Sequence, residues 1–136
     1  MNWKISKLAI SNFKAFTNIK LDFENCTLLT LEGPNGFGKT SIYDALELAF
    51  TGKIDRIHRL CNNIMYGNKI NFEDNLFWNT KHGKNDIKIT VELINQEDNE
   101  VFSFCRVAKV GDLETPQNNK ANNFSIFKFV WKVAWN

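Results

Sequence analysis

Apolar and polar residues alternate cleanly in three places along the chain. Ile19, Leu21 and Phe23 alternate with Lys20 and Asp22. Ile87, Ile89, Val91 and Leu93 alternate with Lys88, Thr90 and Glu92, and residues 101–107 alternate again. A period of two is that of a half-buried strand. The polar stretch Gln96-Glu97-Asp98-Asn99 lies between the last two runs, so residues 87–107 are expected to form a β-hairpin. Residues 3–10 are strand-like, but Ile5 and Leu8 fall on opposite faces of a regular strand, and Ser11-Asn12 is a turn signal. Residues 26–31 are a short apolar, β-prone run and predict a further strand. The period changes at Ser41. From there to Phe50, Ile42, Ala45, Leu46, Ala49 and Phe50 share one face of a helix, with Asp44 and Glu47 pointing elsewhere, and Gly52 is a suitable C-cap.

The rest is less regular. Residues 60–85 are rich in Asn, with Gly67 and Gly83, and read as loops with one short helix. Residues 111–123 are polar, contain Pro116 and read as loop or disorder. Residues 124–135 read FSIFKFVWKVAW and fit strand and helix templates alike. Exposed, such a run would be an aggregation hazard, so it is expected to pack on this chain or on a partner. The expected organisation is one unit over 1–110, followed by a polar loop and apolar tail over 111–136.

Composition narrows the class. A chain of 136 residues, 43% hydrophobic and with 12 Phe, is one domain long and can bury a core. A net charge of +2 is too small to argue for nucleic acid by itself. Cys26, Cys61 and Cys105 are widely spaced and odd in number, which indicates neither a disulfide framework nor a zinc site. A reducing, cytoplasmic setting is expected. No secretory signal or membrane-length apolar run is read, and no membrane partner is expected. His58 and His82 are isolated and have no second ligand at metal spacing.

One stretch carries chemistry. Gly33-Pro34-Asn35-Gly36-Phe37-Gly38-Lys39-Thr40 fits the phosphate-binding pattern G-x-x-x-x-G-K-[ST] at every fixed position. The expected context is present too, with an apolar run before it and a helix pattern after it. A triphosphate needs converging donors. Glycines let the backbone approach the phosphate oxygens, and successive N–H groups with a helix N-terminus form an anion nest. Lys39 supplies a point charge for the terminal phosphates, and Thr40 a hydroxyl for Mg²⁺. Asn35, Ser41 and the Phe37 backbone would complete the cradle. The bland alternative is a glycine-rich turn with an incidental lysine.

Together, ISNFKAF, the alternating strand and LEGPNGFGKTSIYDALELAFTG resemble the N-terminal part of the SMC, SbcC and RecF-like ATPases. The resemblance covers roughly residues 5–52, and the hairpin over 87–107 agrees with the antiparallel β-lobe of such heads. It implies an α/β fold: the N-terminal lobe of an ABC-type P-loop head with an antiparallel β-subdomain, incomplete in this chain. It implies ATP and Mg²⁺ as cofactors. By position, Asn35, Gly36, Gly38, Lys39 and Ser41 would hold the nucleotide, and Thr40 both phosphate and metal. The basic residue of the N-F-[RK] element, here Lys14, would also contact nucleotide; a surface lysine on a strand turn is the alternative. The family acts in DNA repair, chromosome organisation and phage defence.

Three departures bear on function. No run of four apolar residues ends in Asp-Glu, so a Walker B strand is missing; there is no LSGG-type signature and no coiled coil. The expectation is therefore ATP binding, with hydrolysis requiring a C-terminal half of the head or a second protomer. Two other readings stand beside it. A small self-contained P-loop NTPase would need an acidic metal partner such as Asp74 or Glu92. A non-enzymatic module would bind DNA or another partner, using the patch of Lys53, Arg56, His58 and Arg59 for phosphate backbone. A solvated helix end is the plain explanation of that patch.

Overall fold

The computed structural model describes residues 2–34, 36, 38–63, 79, 85–114 and 124–131. Among these residues five strands make one sheet. They are β1 (Trp3–Phe13), β2 (Phe16–Asp22), β3 (Ile87–Asn95), β4 (Val101–Ala108) and β5 (Lys128–Trp131). Their order is β2-β1-β3-β4-β5, and every neighbouring pair is antiparallel. Among the described residues three helices accompany the sheet: α1 (Lys39–Thr51), α2 (Asp55–Asn63) and α3 (Val110–Glu114). The expected hairpin over 87–107 is β3 and β4, and the expected mixed α/β class holds.

The core lies between one face of the sheet and α1. Leu8, Ile10, Ile87, Ile89 and Val91 are fully buried, and Ala45, Leu48 and Ala49 of α1 meet them from above. Each large apolar side chain buried in this way contributes roughly 1.5–3 kcal/mol. The imperfect alternation of residues 3–10 has a physical explanation. Between Ile5 and Lys7 the register shifts by a β-bulge, so Ile5 pairs with Leu93 while Leu8 pairs with Val91. The extra residue brings Ile5 and Leu8 onto one face.

Four expectations need correction. The turn is not at Ser11-Asn12: β1 continues through both to Phe13, and the chain reverses at Lys14-Ala15, with Phe13 paired to Phe16. Asn12 and Lys14 tolerate this with left-handed φ of 55° and 49°. Residues 26–31 form no strand. The carbonyls of Glu24 and Cys26 accept from Lys4 Nζ (2.7 and 3.4 Å), and the Cys26 N–H bonds back to Phe23 (2.9 Å). That turn takes the chain off the edge of β2, leaving Leu28 84% exposed.

The inward face of α1 is also rotated from the expected one. Ser41, Ile42, Asp44, Ala45, Leu48 and Ala49 are buried, while Phe50 is 48% and Tyr43 63% exposed. A carboxylate inside the face is possible because two cations meet it. Finally, residues 111–114, expected to begin a loop, belong to the short helix α3. The ambiguous apolar tail is a 3-10 turn at Phe124–Ile126 followed by β5, an edge strand. Residues 132–136 and most of 60–85 and 111–123 lie outside the described residues.

Candidate nucleotide-binding site

The chain assembles a cleft of about 300 Å³ from three places. Its lining is Lys14 and Ala15 from the β1–β2 turn, Gly36 and Gly38 from the loop, and Lys39, Thr40 and Ser41 from the start of α1. Six of the eight residues singled out in the sequence therefore surround one cavity. Asn35 and Phe37 lie outside the described residues.

Gly38 shows why the sequence must read as it does. It is the N-cap of α1 with φ of 100°, a left-handed conformation that disfavours any side chain. A Cβ there would stand 2.5 Å from Cζ of Phe16, the first residue of β2. The loop thus turns against the hairpin with room for glycine alone. The Gly38 carbonyl accepts the first helical bond from Ile42 N (3.1 Å). No side chain caps α1, so its first-turn N–H groups and the positive end of its dipole point towards the cleft.

Lys39 folds back over the loop, and its ammonium donates to the Gly33 carbonyl. Thr40 is exposed beside it, and Ser41 is buried. A glycine-shaped cradle, a helix N-terminus, an ammonium and an exposed hydroxyl fit a magnesium-bound triphosphate in donor type and in room. Gly36, Gly38 and the helix N–H groups would hold phosphate oxygens, Lys39 would neutralise charge, and Thr40 would offer its hydroxyl to the metal.

Lys14 is fixed by a group that the sequence reading set aside. Its ammonium pairs with the Asp44 carboxylate, one turn along α1 from Thr40. Asp44 is only 6% exposed in its side chain and also accepts from Arg56 Nη2 at 2.9 Å. The signal in the sequence was a carboxylate at helical spacing between Ser41 and Leu48, inside the stripe that faces the sheet.

The basic patch has become the start of α2. Asp55 accepts from Arg59 (2.7 Å) and stands 3.7 Å from Lys53, and Arg56 is held by Asp44. Three of the four basic side chains thus face a carboxylate, and His58 lies 6.3 Å from the Phe124 ring. Of the two acids considered as metal partners, Asp74 lies outside the described residues. Glu92 is buried in the sheet, accepting from Ser6 Oγ (2.7 Å) with Lys7 at 3.5 Å.

With this geometry in hand, comparison with known proteins settles the class. A family model described as AAA domain matches residues 7–131. The chain belongs to the AAA-domain family. Its members are P-loop ATPases, and the family generally binds ATP with Mg²⁺. The AAA domain described here is also similar to Septu protein PtuA of Bacillus mycoides (strain KBAB4), at 42% identity over 57 residues. That match spans 38% of this chain and 8% of the relative's length. No helix among the described residues is long and apolar enough to cross a membrane.

Proposed function

We propose that this AAA domain is the ATP-binding N-terminal lobe of an SMC/SbcC-like ATPase, and that hydrolysis requires a complementing C-terminal half or second protomer. The observation that carries the reading is the convergence of Lys14, from a β-hairpin turn, with Lys39, Thr40 and Ser41 on one cleft. A glycine-rich turn with an incidental lysine gives no reason for a second ammonium to be held at its mouth. Of the roles open to such ATPases (DNA repair, chromosome maintenance and phage defence), we place phage defence first, on the similarity to a Septu protein.

Bound ATP-Mg²⁺ would supply the electrophilic phosphoryl group and a metal to neutralise its charge. The chain's own residues bind and orient it. The Gly36–Gly38 turn gives backbone donors, Lys39 gives charge, and α1 gives its dipole. The sequence carries neither a Walker B run to supply a general base nor an LSGG-type signature. The requirement for a complement also has support in the surface. Tyr43 and Phe50 present apolar area to solvent on the helix whose N-terminus makes the site.

Titration calorimetry of the purified chain with ATP-Mg²⁺, with Lys39→Ala as control, tests the binding step. We expect saturable binding, at least tenfold weaker in the variant, and no turnover by the chain alone. Sustained hydrolysis that Lys39→Ala abolishes would overturn the requirement for a complement. Equal behaviour of the two proteins would overturn the nucleotide site.

A further inference from the structure

We propose that Asp44 is the positioning residue for Lys14. Its buried carboxylate holds that ammonium at the mouth of the phosphate cleft, and Arg56 is the standing counter-charge that lets Lys14 turn to nucleotide. The proposal rests on the nucleotide reading above and extends it to a residue outside the phosphate-binding motif.

Three observations meet here. The first is burial. The Asp44 side chain is 6% exposed, so the carboxylate has little water and depends on its ionic partners. The second is the doubling of those partners. Lys14 and Arg56 both bond the same oxygen, Oδ2, although one cation would balance its charge. Lys14 is 19% exposed and faces the cleft, while Arg56 is 59% exposed and reaches in from α2. The third is the backbone. Lys14 occupies a left-handed conformation at φ 49°, where Gly or Asn would sit with less strain. A strained lysine persists where its side chain is needed in one place.

The chemistry follows from the charges. Without nucleotide, Asp44 bridges two cations and fixes Lys14 within reach of the loop. A polyphosphate in the cleft competes with Asp44 for the Lys14 ammonium. When the ammonium turns, Arg56 keeps the buried carboxylate neutralised, so the exchange leaves no isolated charge behind. Without Arg56, that exchange would strand Asp44, and Lys14 would be held away from phosphate. Without Asp44, Lys14 would be unguided and mobile.

A double-mutant cycle on the full chain tests this, using Asp44→Asn, Lys14→Ala and both together, with ATP-Mg²⁺ as the titrant. Asp44→Asn should weaken binding about tenfold when Lys14 is present and less than twofold in the Lys14→Ala background, and Asp44→Glu should recover most of the loss. Arg56→Gln, at a more exposed position, should also weaken binding several-fold, which keeps the test open if Asp44→Asn does not fold. Equal losses from Asp44→Asn in both backgrounds would overturn the proposal. A second readout needs no nucleotide. Acylation of lysines by an amine-reactive ester, followed by peptide mass spectrometry, should show Lys14 several-fold more reactive in Asp44→Asn, with Lys39 unchanged. If the chain binds no ATP-Mg²⁺ and Lys39→Ala behaves the same, the nucleotide reading fails. The exchange with nucleotide then falls with it, and the acylation pattern decides the Asp44–Lys14 pairing by itself: unchanged Lys14 reactivity overturns the pairing, and increased reactivity sustains it.

Discussion

The two hairpins of this sheet are built from different materials. In β3–β4, eight residue pairs run in unbroken register from Ile87↔Ala108 to Ile94↔Val101, and the side chains alternate between the two faces of the sheet. In β1–β2, the same architecture ends in a turn held by a left-handed lysine. That turn is pressed against a glycine loop and tied by an ion pair to Asp44 of α1, which also holds Arg56 of α2. Non-directional apolar burial holds the first, so it tolerates change that keeps volume and pattern. Fixed dihedrals and placed charges hold the second, where small displacements matter. Stability and binding should therefore separate when the two hairpins are altered one at a time.

The largest effect on stability should come from the apolar hairpin. Ile89 is fully buried at the centre of β3, between Ile10 of β1 and Arg106 of β4. Ile89→Ala should cost about 2–5 kcal/mol through lost burial and the cavity left behind, read as a lower urea midpoint with an unchanged slope. The folded fraction should keep its affinity for ATP-Mg²⁺. A matching loss of affinity would break the separation between the hairpins.

Gly38→Ala is the converse, and its energetic effect should be smaller, about 1–3 kcal/mol. It adds a side chain at φ 100°, where left-handed backbone is strained, and places it against the Phe16 ring. Binding of ATP-Mg²⁺ should fall by at least tenfold even where the protein remains folded. Phe16→Ala in the same chain removes the clash and leaves the strain, so it should restore only part of the binding. Complete restoration would mean that the close approach, not the dihedral, sets the requirement for glycine.

How much of this could be read in the sequence follows the same division. The β3–β4 hairpin was legible because alternation is a local signal, and the phosphate loop because its pattern fixes four residue types at set spacing. The features that escaped depend on partners distant in sequence. Burial of Asp44 needs Lys14 and Arg56, which lie 30 and 12 residues away. The strand-like residues 26–31 satisfy a local β-propensity, but the turn that leads into them, with the Glu24 and Cys26 carbonyls held by Lys4, takes the chain away from a ladder. The tail at Phe129 became a strand only through pairing with β4, where Arg106 lies 4.8 Å from the Phe129 ring. A strand at a sheet edge is decided by its neighbour.

The smallest effect sharpens the contrast between two aspartates. Asp44 is buried between cations, whereas Asp86 sits at the surface just before β3. There its Oδ1 accepts the Val110 N–H (2.8 Å) at the start of α3, and Lys109 Nζ donates to its Oδ2 (3.1 Å). The backbone hydrogen bond from Val110, opposed by desolvation and aided by Lys109, lowers the Asp86 pKa below its ordinary value. A carboxylate with a depressed folded-state pKa stabilises the protein above its unfolded pKa of about 3.9, and the contribution disappears as pH falls through the lower folded value. Because Asp86 is 40% exposed, solvent screens most of that contribution. Asp86→Asn should therefore lower the melting temperature by only about 1–3 °C at pH 6, a difference that shrinks towards zero as pH falls through the lowered folded-state pKa. A difference that persisted at low pH would mean that the side chain acts by shape, as a cap for α3, and not through its charge. Asp86 clips the start of α3 to the start of β3 and is not part of the cleft lining, so affinity for ATP-Mg²⁺ should not change in either case.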